Sequence, residues 1–368
     1  MIGVLGASGS VGRHVVDLLR DRGELRVGGR TTDSLPAAGQ RVRVDHTDPE
    51  SLAAFCAGLR IVVNCAGPSY EVKDRVATTA LAAGADYVDL GGDDPAHEAL
   101  TASGAVSDGR TVLLSAGTVP GLAVLLPRWL AAELDGGPGG ARLTAYVGGL
   151  EHVSPAAASD ILLSLTVGGA GGEPFGHPLA AWRHGRRELR ALRAEEDAEV
   201  PFFPDRVALQ PILTAELERL AARLRLAELD WFNAYPGRLA RTVFSRLPML
   251  SRQAGAEQDG IRDRMIQATE IDLAGRAPYY RMVMTLRGRS DAVTAVLRAE
   301  NSYRITAFVA AAAAAAILDR RAPTGLHFAG DVLDPGALVD GLVESGTADI
   351  ALHQGDIGAP DMLEDGAL

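Results

Sequence analysis

The sequence predicts an α/β protein, with an N-terminal doubly wound parallel sheet followed by an α+β second domain. Three observations predict it. Short apolar runs alternate with helical patterns over the first 120 residues, the rhythm of βαβ units. A glycine-rich turn joins the first run to the first helix. After "GTVPGLAVLLPRWLAAEL", which ends at residue 134, the rhythm becomes irregular. The 368 residues are enough for two domains, and a hydrophobic content of 47% supports a sizeable core.

Taken in order, "IGVLGA" reads as the first strand. "VGRHVVDLLRDRG" reads as a helix with Val11, Val15, Leu18 and Leu19 on one face and Gly23 as its stop. "LRVGGR" and "RVRVDH" are the second and third strands. "DPESLAAFCAG" is a helix with Asp48 as N-cap and Pro49 at its first position. "IVVNCAG", "YVDLGG" and "TVLLSAG" supply strands four to six, and the helix "RVATTALAAGA" joins the fourth to the fifth. Further on, "GGPGGA" is a loop, "RLTAYVGGL" a strand, and "SPAAASDILLSL" a helix capped by Ser154. Residues 168–205 are rich in glycine, proline and charge, and "GGAGGEPFGHP" is expected to be a mobile loop. "LTAELERLAARLRLAEL" predicts a long amphipathic helix and "YYRMVMTLRG" a strand. "SYRITAFVAAAAAAAILDRR" predicts a helix whose apolar run, 305–318, is short for a membrane span and suits a buried position. A short extended piece, a final helix and a frayed acidic tail complete the chain.

A net charge of −11 argues against a general nucleic-acid footprint. Cys56 and Cys65 form neither a metal spacing nor a disulfide framework, so no metal is expected and a reducing cytoplasm is the simplest compartment. The chain opens directly on a strand, and no leader is expected. Lys73 is the only lysine beside 35 arginines, a bias typical of GC-rich coding.

Gly6, Gly9 and Gly12 in "GASGSVG" stand between the first strand and the first helix. Gly6 permits a tight turn, Gly9 lets backbone approach a pyrophosphate, and Gly12 lets helix and strand pack closely. The helix N-terminus offers N–H groups and a positive dipole to phosphate, and Ser8 and Ser10 add hydroxyl donors. This pattern predicts a Rossmann dinucleotide site. At the end of strand two, where an acid would bind the ribose hydroxyls of NAD, the chain has Arg30, Thr31 and Thr32. A guanidinium there suits a 2′-phosphate, so NADP(H) is favoured over a merely solvated Arg30. Asp45, ending the third strand, is placed either to meet the adenine edge or to cap a turn. Asn64, Ala66, Gly67 and Pro68 end strand four, on the nicotinamide side. Asp89, Asp93 and Asp94 are either a charged turn or groups that orient substrate.

"GASGSVGRHV", "VVNCAGP", "YVDLGGD", "SAGTVPGL" and "SYRITA", in this order, resemble the saccharopine dehydrogenase-like NADP-binding oxidoreductase superfamily, which includes saccharopine reductases and carboxynorspermidine dehydrogenases. The resemblance is good over 1–125, fair over 300–340 and poor over 170–270. It implies a Rossmann domain (1–125), an inserted α+β substrate and dimerisation domain (126–303), and a C-terminal segment (304–368) that returns to the Rossmann domain. It implies hydride transfer between NADP(H) and a C–N bond, usually an imine, in a homodimer. Gly6, Ser8, Gly9, Ser10, Val11 and Gly12 match the pyrophosphate loop, Arg30 the 2′-phosphate arginine, and Ala66, Gly67 and Pro68 the nicotinamide-side loop. Family members commonly have an aromatic residue right after the proline; here Ser69 stands there and Tyr70 follows.

Three residues are candidates for the proton donor. Tyr70 and Lys73 follow the nicotinamide-side loop, and Lys73 is expected in the first turn of the next helix, either solvated or facing a substrate carboxylate. His152, in "LEHVSP" with Glu151 and Ser154, has the side chain whose ordinary pKa lies nearest neutrality, although a lone histidine is more often structural. Tyr279, Tyr280 and Tyr303 are expected in the core or at a rim. Two function classes follow: a reductase acting on a small imine or conjugated alkene, and a non-catalytic NADP-binding sensor.

Overall fold

The computed structural model describes residues 1–106, 109–163, 176–244, 246 and 256–355. The chain divides into two compact units, Met1–Leu125 with Tyr303–Leu338, and Leu126–Ser302 with Val339–Leu368.

The first unit is a seven-stranded parallel sheet. With strands numbered along the chain, it contains β1 (Ile2–Leu5), β2 (Leu25–Gly29), β3 (Gln40–Arg43), β4 (Ile61–Asn64), β5 (Asp86–Asp89), β6 (Thr111–Leu114) and β16 (Gly325–Phe328). Their order is β16-β6-β5-β4-β1-β2-β3. The chain therefore winds outward from β1 in both directions, and β1 marks the switch point where such sheets bind ligands at their carboxyl edge. β16 pairs with β6 in parallel, so a C-terminal segment does return to this sheet. The strands β1, β4 and β6 are buried at every position, as expected of strands covered on both faces. Phe55 is fully buried against Gly3 and Gly28, where a Cβ would lie 3.3 and 2.6 Å from its ring.

The helices of this unit begin with α1 (Ser10–Leu19), α2 (Pro49–Cys56), α3 (Ser69–Val72), α4 (Arg75–Ala82) and α5 (Asp94–Ser103), and α6 (Leu122–Ala132) starts at its end. Asp48 caps α2 by accepting from the backbone N–H groups of Glu50 and Ser51, with Pro49 in the first turn. Two expectations change. The buried face of α1 is Gly12, Val15, Val16 and Leu19, while Leu18 is 40% exposed. Positions 12, 15, 16 and 19 cluster at 3.6 residues per turn, and 11 and 18 fall about a third of a turn away. The connection from β4 to β5 is two helices rather than one. Lys73 is not in a first turn but in the break between α3 and α4, at φ +49°.

The second unit is built on a ten-stranded mixed sheet. Its strands are β7 (Arg142–Leu150), β8 (Gly176–Pro178), β9 (Ala181–Arg183), β10 (Arg186–Glu188), β11 (Glu195–Ala198), β12 (Val207–Thr214), β13 (Glu228–Pro236), β14 (Tyr279–Arg287), β15 (Ala292–Ala299) and β17 (Asp349–Gln354). The central path is β10-β9-β13-β7-β14-β15-β17, with β12 also on β13 and joined by β8 and β11. β7 and β13 are parallel, and the other pairs are antiparallel. Asp230 on β13 receives Arg142 from β7 at 2.9 Å and Arg183 from β9 at 2.6 Å, tying three strands. Helices α7 (Pro155–Leu163), α8 (Ala215–Leu224), α9 (Arg238–Phe244) and α10 (Ala256–Leu273) belong to this unit. Ala158, Leu162, Ala240, Ile261 and Met265 form a cluster from α7, α9 and α10.

Here too the structure corrects the sequence. Where 168–205 is described it is not a loop but the short strands β8 to β11; 164–175, with most of "GGAGGEPFGHP", lies outside the described residues. The long amphipathic helix shrinks to α8. Arg225 takes a left-handed conformation after it, and the chain then enters β13. The segment expected to return whole to the first sheet does so only in part, because β17 pairs antiparallel with β15 in the second unit. The acidic tail beyond residue 355, expected to be frayed, lies outside the described residues.

The alanine-rich segment forms α11 (Ser302–Leu318), with Ile305, Val309, Ile317 and seven alanines buried. Short α12 (Ala329–Val332) and α13 (Pro335–Glu344) follow. Among the described residues no helix is long and apolar enough to cross a membrane.

Candidate functional site

The glycine loop closes β1 and opens α1 at the switch point. Gly6 has φ +76°, and a Cβ on it would lie 2.6 Å from the Ala66 nitrogen. A Cβ on Gly12 would lie 2.2 Å from the Gly6 carbonyl oxygen. Both positions therefore require glycine. A Cβ on Gly9 would meet only the Gly6 oxygen, at 3.2 Å, and Gly9 and Ser10 are exposed. The first turn of α1 has no side-chain cap and no acid. Its N–H groups and dipole face outward, as a phosphate group requires. Ser8 and Val11 are partly buried around this cradle. The loop fits the pyrophosphate of a dinucleotide.

Arg30 and Thr31 are exposed immediately beyond β2. Ser8 lies at this strand end, its Oγ 3.4 Å from where a Gly29 Cβ would be. Asp45 lies two residues past β3 and is committed to a local turn. Its Oδ1 accepts from the Thr47 N–H at 2.9 Å and the Thr47 hydroxyl at 2.7 Å. These bonds hold its carboxyl below the usual carboxylate range. Of the two roles open to Asp45, the turn is the one its oxygens perform. His46 next to it lies 3.4 Å from Arg75, and burial together with the Arg75 charge pushes its imidazole below the ordinary value. The Arg30 charge adds to both shifts, favouring the Asp45 carboxylate and the neutral form of His46. Sequence reasoning did not include His46 or Arg75, which are distant in the chain from the glycine motif.

Asn64 and Asp89 close β4 and β5 opposite each other in register. Both are buried. Asp89 Oδ2 accepts from Asn64 Nδ2 at 3.0 Å and from the Tyr87 hydroxyl, and Oδ1 accepts from the Gly91 N–H at 3.0 Å. Asn64 Oδ1 accepts from the Ala66 N–H at 3.1 Å, and its Nδ2 also donates to the Ala66 carbonyl at 3.3 Å. Burial raises the Asp89 carboxyl above its ordinary value against the pull of these bonds, and burial beside Asp89 raises Tyr87 well above its own. Asp89 is thus an interior group. Ala66, Gly67 and Pro68 follow as a half-buried turn at the carboxyl edge.

The three proton-donor candidates fall in different settings. Tyr70 is half-buried on α3, two residues past Pro68. Lys73 is exposed. His152 belongs to the second unit, is exposed, and places Nδ1 2.6 Å from Glu270 Oε1. Beside it, Glu151 accepts from the Ser302 N–H at 2.6 Å and hydroxyl at 2.7 Å, which makes it a helix cap. Asp93 precedes the first residue of α5 and Asp94 is in its first turn. No cluster of metal-ligating side chains occurs among the described residues.

The family model described as the saccharopine dehydrogenase NADP binding domain matches residues 2–111, which contain the glycine loop, Arg30 and the Asn64–Pro68 turn. Among solved structures, the chain is similar to the apo, histidine-tagged saccharopine dehydrogenase (L-Glu forming) of Saccharomyces cerevisiae. The TM-score is 0.67 at 15% identity, over 96% of this chain and 99% of that one, a likeness of fold across both units. Partial matches include the Citrobacter sp. triphenylmethane reductase complexed with NADP(H), at 22% identity over 28% of this chain and 44% of that one (TM-score 0.25). Another is uronate dehydrogenase from Agrobacterium tumefaciens, at 22% over 24% and 40% (TM-score 0.22). Residues 2–111 are thus similar to the saccharopine dehydrogenase NADP binding domain, with NADP(H) as the cofactor of that domain, and the chain as a whole shares the fold of saccharopine dehydrogenase.

Proposed function

We propose that the protein is an NADPH-dependent reductase that delivers hydride to the C=N bond of a small biosynthetic imine. The observation that carries this reading is the carboxyl edge of the first sheet. It combines an uncapped, acid-free α1 N-terminus with an exposed arginine, Arg30, just past strand two and a glycine-dependent backbone approach. NADPH supplies the hydride. Gly6, Ser8, Gly9, Ser10, Val11 and Gly12 hold the pyrophosphate, and Arg30 with Thr31 holds the 2′-phosphate. Ala66, Gly67 and Pro68 line the nicotinamide side, and Asn64 supports them from below. Tyr70 is the leading proton donor to the imine nitrogen, since it follows this turn directly and is half-buried. Lys73 and His152 are the remaining candidates. Free Cys56 and Cys65 suit a reducing cytoplasm, and a homodimer is the expected assembly.

The test is NADPH oxidation, followed by loss of reduced-nicotinamide absorbance, against a panel of imines formed from amino acids and small carbonyl compounds. Turnover of imines supports the reading. Turnover of conjugated enones alone would replace C=N with C=C chemistry. Tight NADPH binding with no oxidation across both panels would leave a sensor. Within an active enzyme, Tyr70→Phe is expected to lower kcat about 10²-fold or more at unchanged NADPH affinity.

A further inference from the structure

The network around Asp89 joins three neighbouring strand ends. Its carboxylate accepts from Asn64 on β4, and its Oδ1 accepts from the Gly91 N–H just past β5. The Gly91 carbonyl in turn accepts from the Ser115 N–H, just past β6, at 2.6 Å. Ser115 is fully buried at φ +57°, a conformation that costs a non-glycine residue energy and needs surrounding structure to maintain it.

The decisive element is the Asn64 amide. An amide has a donor end and an acceptor end, and only one orientation serves its neighbours here. The carboxylate of Asp89 can only accept, so it holds Nδ2. That leaves Oδ1 facing the Ala66 N–H. Ala66 and Cys65 pack directly under Gly6 of the pyrophosphate loop, 2.6 Å from where a Cβ would stand. In a sheet that winds outward from β1, a dinucleotide on α1 lies with its adenosine half over β2 and β3 and its other half over β4 and β5.

We propose that Asp89 is a positioning residue for the nicotinamide half of the cofactor: by orienting Asn64 it fixes the Ala66–Gly67 turn, without acting on the adenosine half. The inference rests on the reading of Ala66–Pro68 as the nicotinamide-side turn.

The experiment compares two ligands by calorimetry on the full chain. NADP⁺ carries both halves, while adenosine 2′,5′-bisphosphate carries the adenosine and 2′-phosphate alone. Asp89→Asn places an amide opposite three donors and frees Asn64 to turn. It is expected to weaken NADP⁺ about tenfold and to leave adenosine 2′,5′-bisphosphate within about twofold. Tyr87→Phe removes one donor but keeps the carboxylate and its two N–H partners, and should show the same split at smaller size. If Asp89→Asn fails to fold, Tyr87→Phe decides on the same criterion. Parallel loss for both ligands, or loss for neither, overturns the proposal. So does a wild type that binds NADP⁺ no more tightly than adenosine 2′,5′-bisphosphate, because the turn would then contact nothing. An absence of imine turnover with the ligand split intact would overturn only the proposed reaction.

Discussion

Each unit carries a carboxylate at the carboxyl end of a strand, and burial raises both above the ordinary range. Asp89 closes β5 in the first unit and collects donors from a tyrosine, an amide and a backbone N–H of three different residues. Glu151 follows β7 in the second unit and gives both oxygens to one residue, Ser302, at the start of α11. Glu151 thus satisfies an orphan N–H at a helix N-terminus, where the dipole also favours a negative charge. Asp89 holds a turn through an intermediary. The lesson is that burial and a raised pKa do not identify a functional carboxylate; what the carboxylate holds decides what its loss does.

The largest effect that tests this contrast is on stability. Asp89→Ala leaves the Tyr87 hydroxyl, the Asn64 amide and the Gly91 N–H without their acceptor. A loss of about 3 kcal/mol or more is expected in chemical denaturation. Next comes Arg30→Ala. It should weaken NADPH about 10- to 100-fold while leaving NADH affinity unchanged, read by fluorescence titration. Equal loss for both nucleotides would remove Arg30 from the 2′-phosphate site. Glu151→Ala should then cost about 1–2 kcal/mol, the range of a lost helix cap, at unchanged NADP⁺ affinity. If it weakened NADP⁺ as Asp89→Asn does, the contrast between the two carboxylates would fail.

The same pair predicts a pH dependence. Each carboxyl titrates higher in the folded state than in the unfolded chain, where the ordinary values are 3.8 for Asp89 and 4.5 for Glu151. Over the window from those values up to the folded ones, the folded state holds more protons. Stability from these groups is therefore present below the window and is lost as pH rises through it. Thermal midpoints measured upward from about pH 4 should fall less steeply in Asp89→Asn and in Glu151→Gln than in the wild type.

The first unit was legible because its strands are short, apolar and covered on both faces, so "IGVL", "IVVN" and "TVLL" announce themselves. The glycine loop was legible because the chain needs glycine at Gly6 and Gly12 for steric reasons alone. The second unit was less so. β12 contains Pro211, and β13 runs "ELDWFNAYP" with Asp230 buried under two arginines, so neither matches a simple alternation. In 195–198 the sequence "EEDA" forms β11, whose first three residues are exposed, and composition alone reads it as loop. At the candidate site, Asn64 and Asp89 were visible as polar ends of adjacent strands, but their pairing depends on the register of β4 and β5. His46 and Arg75 meet only through packing of segments distant in sequence.

Lys73 gives the smallest effect and the last test of the contrast. The lone lysine lies nine residues beyond Asn64, outside the buried network, and its backbone has φ +49° and ψ −126°. The first central residue of a type II′ turn uses this combination, and glycine adopts it most easily. An exposed side chain with that backbone contributes strain and no packing. Lys73→Gly should therefore raise stability by up to about 1 kcal/mol in denaturation, and Lys73→Arg should leave it unchanged. Both variants should keep wild-type NADP⁺ affinity, because the turn ahead of them is held from within by Asn64. A loss of turnover in both at intact NADP⁺ binding would instead make the ammonium group, at this location, a substrate contact. Strain at Lys73 would then be maintained for function, as strain at non-glycine positions often is.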